Sequence, residues 1–561
     1  MALLAGCGRT SGVLPDCAAG DVRVCDAGGK VGSQTCEATG SWGTCSAGGA
    51  DSKADGRGGQ PPSVGTGGSV AIGGGVTIGG FPGSAGEPPM GGEAGDDDEP
   101  STAGEGGTAG EPSTSGEGGA PQCEPSLENC TTAVDEDCDG ETPACTGALL
   151  FGHTYVSQAD QILTGLAVRP DGSFAITVNG WWSDVSFGTP EGTLTNAGDW
   201  DAYVVRYDAD GNGLWARGYG DGASQELEAV TFDGDGSLLV TGGFEGSYSI
   251  GGESFGPPSH NVLAKFDADG NDVWAKAFAG SEGWDVAASP GGEISLGGII
   301  FDSTNFGGET RTLDGNINGF VAKFDASGNW VWDHQLFGWH VLVYGVAVDS
   351  AGDTIAVGRF SGDVDWGEGP VEVLGTNGFI VRFDSEGALV RGQTFGSGYA
   401  FPVGVAVDAE RNVVVAGNFD GNLDFGDASH SASEGMFVAK FDVQGNVLWS
   451  RDYDASTVPT GAADVAVDPF GNVLLCGYFR GSLDTPTPLS GDSDSAIIKL
   501  DPSGNFVWAR AFGADYADAL AIGSDGLGNA FVGGRFFDDI DFGEGTVSSS
   551  LSDIFVAKLA P

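Results

Sequence analysis

One phrase returns every 58 or 59 residues through most of this 561-residue chain, and that period limits the fold more than any other feature. The phrase reads FVAKFDASGNWVW at 320–332, FVAKFDVQGNVLW at 437–449 and, cut short, IFVAKLAP at 554–561. An Asp that ends the apolar run marks the copies at Asp208, Asp267, Asp325, Asp384, Asp442 and Asp501. A fixed period of this length indicates a fold built from one stacked supersecondary unit.

Each period contains four short runs that look like β-strands. In one copy VGVAVD is almost wholly apolar, ERN forms a turn and VVVAGNF is a second run. A long variable loop, DGNLDFGDASHSASEG, is predicted next, followed by the alternating runs MFVAKFD and VLWSRDY. Asp-x-x-Gly-Asn between the last two suits a tight hairpin, because Gly accepts the left-handed conformation. Four antiparallel strands repeated in this way predict a β-propeller.

The number of blades follows from the first strand of each period. Seven first-strand runs occur, at LAVRPDGS, AVTFDGDGS, DVAASPGGE, GVAVDSAGD, GVAVDAERN, DVAVDPFGN and LAIGSDGLGN. The seventh period has no fourth strand, whereas GALLFGHTYV at 147–156 precedes the first period without a blade of its own. We therefore expect an all-β, seven-bladed propeller over 147–561, closed when the N-terminal strand completes the last blade.

These units resemble the bacterial seven-bladed β-propeller repeat family (SBBP-type), whose repeats read FVAKLDxxGNxxWxxxxGGxxxDxxxGVAVDxxGNxYVxG. The resemblance covers about residues 147–561. It implies a secreted or surface protein and assigns no specific activity.

The first 146 residues divide by composition into four segments. Residues 1–7 end in Leu4-Ala5-Gly6-Cys7, which resembles a bacterial lipobox behind a truncated signal, and we expect Cys7 to be lipidated; the alternative is a chance match in a Gly/Ala-rich sequence. Residues 8–46 form a small Cys-rich segment, and residues 47–121 are a Gly/Ser/Pro/acidic linker too poor in apolar residues to fold. Residues 122–146 form a Cys/Asp module.

Eight cysteines fall in two even clusters within these segments. They are Cys17, Cys25, Cys36, Cys45, Cys123, Cys130, Cys138 and Cys145. No pair has the C-x2-C spacing of a zinc site, so we predict disulfides and an oxidising compartment, with zinc as the alternative.

The Cys/Asp module also contains Asp135, Asp137 and Asp139 ahead of a glycine. Alternating carboxylates before a turn begin many calcium loops, and DEDCDG resembles short Asp/Cys modules of secreted bacterial proteins. Thr146 stands where an EF-hand would place its bidentate Glu. Ca²⁺ is the one cofactor that the sequence suggests, and an acidic, disulfide-closed turn is the alternative.

The net charge of the chain limits the kinds of partner that it can bind. The chain has 79 acidic and 23 basic residues, a formal net charge of −56, which excludes nucleic acid as a partner. No apolar run reaches the length of a membrane span, so we expect membrane contact only through a lipid anchor and place the protein, as a monomer, outside the cell or on its outer surface.

No motif of a hydrolase, zinc protease or nucleotide-binding loop is present, so no catalytic residue is predicted. The rim that carries the connections between repeats is rich in aromatic residues, which suit a sugar or a cationic peptide. Its candidate ligand-binding residues are Trp284, Trp339, His340, Tyr399, Phe401 and Tyr516. The repeat itself supplies aromatic residues here, so a packing role is the alternative, and the residues favour it. The Lys of each AK phrase is predicted to pair with acids of neighbouring blades.

Three functions fit these patterns. The first is a non-catalytic, surface-tethered or secreted propeller that binds a glycan or a protein. The second is a structural component of the envelope or matrix. The third is a propeller enzyme, because FDxxGNxxW resembles in outline the repeat of quinone-dependent dehydrogenases; Gly-Asn in place of Thr-Gly argues against it.

Overall fold

A computed structural model describes three short strands within residues 22–47 and residues 146–561, except 159, 183, 258–259, 314, 367–368, 372–374, 397–398, 455–459, 514–515 and 544. The described residues contain strands, turns and bends and no helix. Accordingly, no helix able to span a bilayer occurs among them.

A small antiparallel sheet lies in the Cys-rich segment and belongs to a compact unit of its own. It consists of β1 (Val22–Asp26), β2 (Val31–Thr35) and β3 (Ser46–Ala47), in that order. The predicted lipidation, disulfide and calcium residues lie outside the residues whose side chains the structure describes. They are Cys7, Cys17, Cys25, Cys36, Cys45, Cys123, Cys130, Cys138, Cys145, Asp135, Asp137 and Asp139.

The larger unit begins with β4 (Leu149–Tyr155). Its first sheet contains β5 (Gln161–Val168), β6 (Phe174–Trp181), β9 (Trp200–Tyr207) and β10 (Gly213–Tyr219), with the small hairpin β7 (Val185–Ser186) and β8 (Thr193–Leu194) between the second and third strands. The second sheet contains β11 (Gln225–Phe232), β12 (Leu238–Phe244), β15 (His260–Phe266) and β16 (Asp272–Ala279), with the hairpin β13 (Tyr248–Ile250) and β14 (Glu253–Phe255).

A twelve-stranded sheet follows. Its strands are β17 (Ser281–Ala288), β18 (Ile294–Ile300), β19 (Asn318–Phe324), β20 (Trp330–Val348), β21 (Thr354–Asp365), β22 (Pro370–Val371), β23 (Thr376–Phe383), β24 (Leu389–Phe395), β25 (Tyr399–Val407), β26 (Val413–Asp424), β27 (Ser429–Phe441) and β28 (Val447–Asp454). It repeats the same four-strand order and is continuous for two reasons. The long β20 serves two successive units, and one parallel pairing joins Thr376 to Tyr399.

Two further four-stranded sheets end the chain. One contains β29 (Gly461–Val467), β30 (Val473–Leu483), β31 (Leu489–Leu500) and β32 (Phe506–Phe512). The other contains β33 (Tyr516–Ser524), β34 (Ala530–Phe537) and β37 (Asp553–Leu559), with the hairpin β35 (Asp539–Asp541) and β36 (Thr546–Ser548), and its fourth strand is β4. Repeated four-stranded antiparallel sheets whose first strands pack side by side define a β-propeller fold.

The prediction of a long variable loop is wrong for residues 420–435. There β26 and β27 continue as one extended hairpin, with Leu423 opposite His430. Gly and Asp residues hide the alternation of this stretch, in which Leu423 and His430 are buried. Two Asp-Phe-Gly phrases form tight turns, in which Asp424 accepts the backbone N–H of Gly426 at 2.7 Å and Asp541 that of Gly543 at 2.6 Å.

The N-terminal strand β4 pairs antiparallel with the C-terminal strand β37, and Lys558 lies opposite Phe151. In the preceding sheet Lys499 lies opposite Trp508, so Phe151 occupies the place of the repeated Trp. Its ring lies against Gly211 in a turn of the first sheet, 3.3 Å from the position that a Cβ would take.

Buried cations link each sheet to the next. Lys440 forms an ion pair with Asp408 of its own sheet at 2.8 Å and donates to the carbonyl of Pro502 in the following sheet at 3.4 Å. Lys265, Lys323, Lys499 and Lys558 repeat this arrangement. The predicted partner was therefore wrong in one respect: the acid comes from the same four-strand repeat, and only the carbonyl comes from the next repeat. The acid directly follows the first strand in four repeats, and Glu293 directly precedes the second strand in the fifth.

The repeated Trp forms a second link. The indole N–H of Trp215 donates to the carbonyl of Ala268 in the next sheet at 3.1 Å, and Trp449 reaches that of Pro502 at 3.0 Å. The glycine of each receiving turn packs directly against the indole ring, as Gly270 does on Trp215. A side chain at that glycine would collide with the ring, and its positive φ of 76° also favours glycine.

A β-bulge interrupts the first strand of every four-strand repeat. One residue in each has no partner in the second strand, and the seven residues are Thr164, Glu228, Trp284, Tyr344, Val403, Ala463 and Leu520. In six repeats the facing residue of the second strand is a glycine whose Cβ would overlap a first-strand carbonyl oxygen, as Gly477 would with Gly461. In these six repeats the close carbonyl leaves room only for glycine.

Replacement of Gly477 by Ala should lower the free energy of unfolding by about 1–3 kcal/mol, because the new methyl group overlaps the Gly461 carbonyl. Gly243→Ala is the matched control, since its nearest atom would lie at 3.8 Å. Thermal unfolding of both variants measures the effect, and equal melting temperatures would contradict the steric account.

Candidate functional site

A cavity of about 330 Å³ lies where the bulged first strands meet. All seven bulged residues line it, so each four-strand repeat contributes one side chain from the same structural position. Three of the seven bulged residues, Val403, Ala463 and Leu520, are apolar, whereas Glu228, Trp284 and Tyr344 offer a charge and two aromatic rings. The repeated backbone therefore forms the cavity, and the bulged side chains make its wall chemically different from one repeat to the next.

An aromatic row borders one side of this cavity. Trp284 stacks on Tyr344 with ring centroids 5.1 Å apart, and Tyr344 meets Phe401 edge-on at 4.5 Å. The guanidinium of Arg359 lies 4.8 Å from the centre of the Phe401 ring and donates to the hydroxyl of Tyr399 at 3.2 Å. The row thus offers ring faces and a cation to a ligand at the mouth.

Carboxylates lie next to Trp284, at one end of this row. Glu226 is buried, and burial together with the charges of Glu282, Glu245 and Asp199 raises its pKa to about 7. Burial also raises the pKa of Glu282, which a hydrogen bond from Trp284 partly offsets. This part of the wall gathers negative charge that a cationic ligand would stabilise.

Two aspartates of the wall serve the backbone. Asp285 accepts the N–H of Val286 at 2.8 Å and that of Val346, in the next first strand, at 2.7 Å. Asp464 does the same for Val465 at 2.7 Å and for Ile522 at 3.0 Å. Desolvation raises their pKa values to about 7 and about 6, and both carboxylates tie neighbouring first strands together.

The last sheet carries a complete charge pair at the mouth. The guanidinium of Arg535, which lines the cavity, donates to Asp518 at 2.9 and 3.1 Å, and the hydroxyl of Tyr516 donates to the same carboxylate oxygen at 2.9 Å. Asp518 is fully buried, and Arg535 also lies 6.0 Å from the centre of the Tyr516 ring.

The predicted rim residues separate into three places. Trp284, Phe401 and Tyr399 join the aromatic row, and Tyr516 belongs to the charge pair of the last sheet. Trp339 and His340 adjoin each other, with ring centroids 5.7 Å apart and Trp339 60% exposed. They lie on β20 and do not line the cavity, so the structure does not bring the six together.

Sequence reasoning missed Tyr344, Arg359, Glu226, Glu228 and Arg535. Tyr344 and Glu228 are bulged residues, and a bulge leaves no sign in a run such as YGVAVD. Arg359 and Arg535 occupy the same position near the end of the second strand, directly after the repeated glycine. An alignment of the repeats on that glycine would have found them.

The aspartates of the hairpin turns accept hydrogen bonds from residues of the same turn. Asp267 accepts the backbone N–H of Asn271 at 2.8 Å and its side-chain amide at 2.9 Å, and these bonds lower the pKa of Asp267. This agrees with the turn role that the sequence favoured over calcium binding. In the part of the chain that the structure describes, no three His, Cys, Asp or Glu side chains come together as metal ligands.

One histidine lies in an arrangement that resembles a hydrolytic triad. His430 Nδ1 is 2.7 Å from Asp452 and its Nε2 is 2.7 Å from the hydroxyl of Ser450. That hydroxyl donates to Asp427 at 2.7 Å and is buried, so it has neither a free proton for the imidazole nor access to a substrate. We interpret the network as a link between β27 and β28. Cys476 is likewise buried, as predicted, and burial raises the pKa of its thiol.

The chain is similar to some known proteins. No family model matches the chain. An uncharacterized WD repeat-containing protein of Acanthamoeba polyphaga mimivirus is 28% identical over 155 residues, which is 23% of this chain and 11% of that protein. The chain thus spans about a tenth of the length of this relative.

Among solved structures, the WD40 repeats of RRP9 match 74% of this chain and 99% of their own length at 12% identity, with a TM-score of 0.41. The Dos1 propeller matches 74% of this chain and 94% of its own length at 10% identity, with a TM-score of 0.38. A gluconolactonase from Xanthomonas campestris matches 74% of this chain and 91% of its own length at 11% identity, with a TM-score of 0.29.

Replacement of Glu226 by Gln should stabilise the protein at alkaline pH. The pKa of Glu226 is raised from 4.5 to about 7 in the folded state, so wild-type stability from this group is complete below about pH 4.5 and is lost as the pH rises through 7. Gln cannot ionise, so the variant keeps this stability at high pH. Its free energy of unfolding near pH 8 should exceed that of wild type by on the order of 2–3 kcal/mol.

Melting temperatures near pH 5 and pH 8 measure this difference. Glu253→Gln, at an exposed position in β14, removes the same charge and should show no such pH dependence. If Glu226→Gln and wild type have equal melting temperatures at both pH values, the raised pKa assigned to Glu226 is contradicted.

Proposed function

We propose that residues 147–561 form a seven-bladed β-propeller that acts as a non-catalytic interaction module and binds a protein segment at the mouth of the central cavity. One observation carries the proposal: seven bulged side chains, one from each repeat, line a single cavity. A packed core would place small apolar residues there, whereas this chain places Trp284, Tyr344 and Glu228.

Two contacts support a closed ring of seven blades. β4 supplies the fourth strand of the sheet that contains the C-terminal strand β37. The first strands also contact one another in succession, and the last of them, β33, contacts the first, β5. The N-terminal strand thereby holds the two ends of the propeller together.

The charge of the mouth favours a protein segment over a glycan. Glu226 and Glu282 lie near the Trp284 end of the aromatic row, and Arg359 lies against Phe401 at its other end. A peptide with basic and aromatic or acidic side chains matches both groups at once. A neutral sugar would use the rings and leave the buried carboxylates without a counter-charge.

The place of action follows from the sequence alone. We propose that the protein is secreted or tethered to the cell surface through Cys7, with residues 47–121 as the spacer and disulfides and calcium in the Cys-rich segments. The net charge of −56 is consistent with a protein that works in solution among cationic partners.

The binding proposal is tested by selecting a phage-displayed random peptide library on the full chain, in parallel with a glycan array. Enriched peptides should bind Tyr344→Ala and Arg359→Ala roughly tenfold more weakly, because each substitution removes part of the aromatic row. Leu448→Ala, half-exposed on β28, is the control and should bind as wild type does.

Peptides that bind the variants and wild type equally would overturn the assignment of the site. Glycan hits that depend on Tyr344, with no enriched peptide, would make a glycan the ligand instead. An absence of both would favour the structural role.

The closure proposal is tested by Phe151→Ala, which should lower the free energy of unfolding by roughly 2–4 kcal/mol because the ring packs on Gly211 and near Phe174. Leu150→Ala, the neighbouring residue that is 53% exposed, is the matched control. Equal melting temperatures of the two variants would show that β4 does not hold the first and last sheets together.

A further inference from the structure

The acid at the start of the first strand has a different neighbour in two sheets. In the last sheet Asp518 lies directly opposite Arg535 and forms the ion pair described above. In the second sheet Glu226 occupies the same position, and its opposite residue is Gly243. The same position thus has an arginine partner at Asp518 and no cationic partner on the facing strand at Glu226.

A side chain could start at Gly243 without a clash. A Cβ at this residue would have no atom closer than 3.8 Å, and its neighbours would be Cγ and Oε1 of Glu282, the latter at 4.0 Å. Glu226, on the other side, is 8% exposed and lines the cavity. Among the described residues, none forms a hydrogen bond or ion pair with the Glu226 carboxylate. We name the space between Glu226, Gly243 and Glu282 the acidic slot.

We propose that the acidic slot receives the guanidinium group of an arginine side chain from the partner segment, in the place that Arg535 fills in the last sheet. The proposal rests on the proposed function, since the arginine belongs to a segment that enters the cavity mouth. A planar fork of N–H donors can bond both carboxylates at once. Trp284, which lines the same cavity and bonds to Glu282, offers a ring face to the guanidinium.

A metal ion is a poorer occupant. Calcium requires several oxygen ligands around one point, and the described residues contain no such group of three acids. An organic cation needs only the two carboxylates and a ring.

Protonation of the slot should oppose binding. Glu226 faces the carboxylates of Glu282, Glu245 and Asp199 from neighbouring strands and connections, and its pKa of about 7 leaves it partly protonated at neutral pH. A bound cation favours the ionised form, so binding should strengthen as the pH rises from 6 to 8.

The test uses two capped pentapeptides, Ala-Ala-Arg-Ala-Ala and its citrulline analogue, which keeps the shape and loses the charge. Their affinities for the full chain are measured by ligand-observed NMR near pH 8. The arginine peptide should bind roughly tenfold more tightly than the citrulline peptide. The preference should shrink near pH 6.

Two variants assign the preference to the slot. Glu226→Gln removes the carboxylate, and Gly243→Arg supplies an internal guanidinium that occupies the slot; both should abolish the preference. Glu253→Gln, at an exposed position in β14, should keep it. The melting temperature of Gly243→Arg should be at or above that of wild type, because the new side chain neutralises Glu226, so loss of binding through unfolding is recognisable.

Equal affinities of the two peptides for wild type would contradict the proposal that the acidic slot binds an arginine side chain. So would a preference that survives in Glu226→Gln and Gly243→Arg, because the cation would then bind elsewhere. If library peptides bind through Tyr344 while no arginine preference exists, the slot is refuted and the interaction module stands.

Discussion

The β-bulge of the first strand is the constraint on which the candidate site depends. One unpaired residue per sheet turns its side chain toward a common cavity, and a glycine in the second strand makes room for the distorted backbone. Without the bulge, strict alternation would direct the same positions into the contacts between sheets. The bulge thus separates residues that hold the repeats together from residues that line the cavity.

The contacts between repeats use five of the 23 Lys and Arg residues of this acidic chain. Lys265, Lys323, Lys440, Lys499 and Lys558 each connect an acid of one sheet to a carbonyl of the next. Such buried pairs add little net stability over apolar packing but are costly to break singly, and we suggest that they fix the register of one sheet against the next. Against that background, Arg359 and Arg535 stand out because they lie at the cavity mouth.

The sequence predicted the period, the four strands of each repeat and their order, because hydrophobic alternation and Asp-x-x-Gly-Asn turns are local signals. It also predicted that aromatic residues gather on one rim, and Trp284, Tyr399 and Phe401 do come together. It could not show which side chains face the cavity, since the bulge shifts the alternation by one residue within an unbroken apolar run. The importance of Glu226 is equally invisible in sequence, because it arises from Gly243 on the facing strand.

The most direct test of this account is a crystal structure of the full chain soaked with the arginine pentapeptide. The account predicts a guanidinium over Gly243, bonded to Glu226 and Glu282, with the peptide leaving the cavity past Trp284 and Tyr344. Electron density for the peptide at another surface, with the cavity mouth covered by the side chains of its own rim, would contradict it.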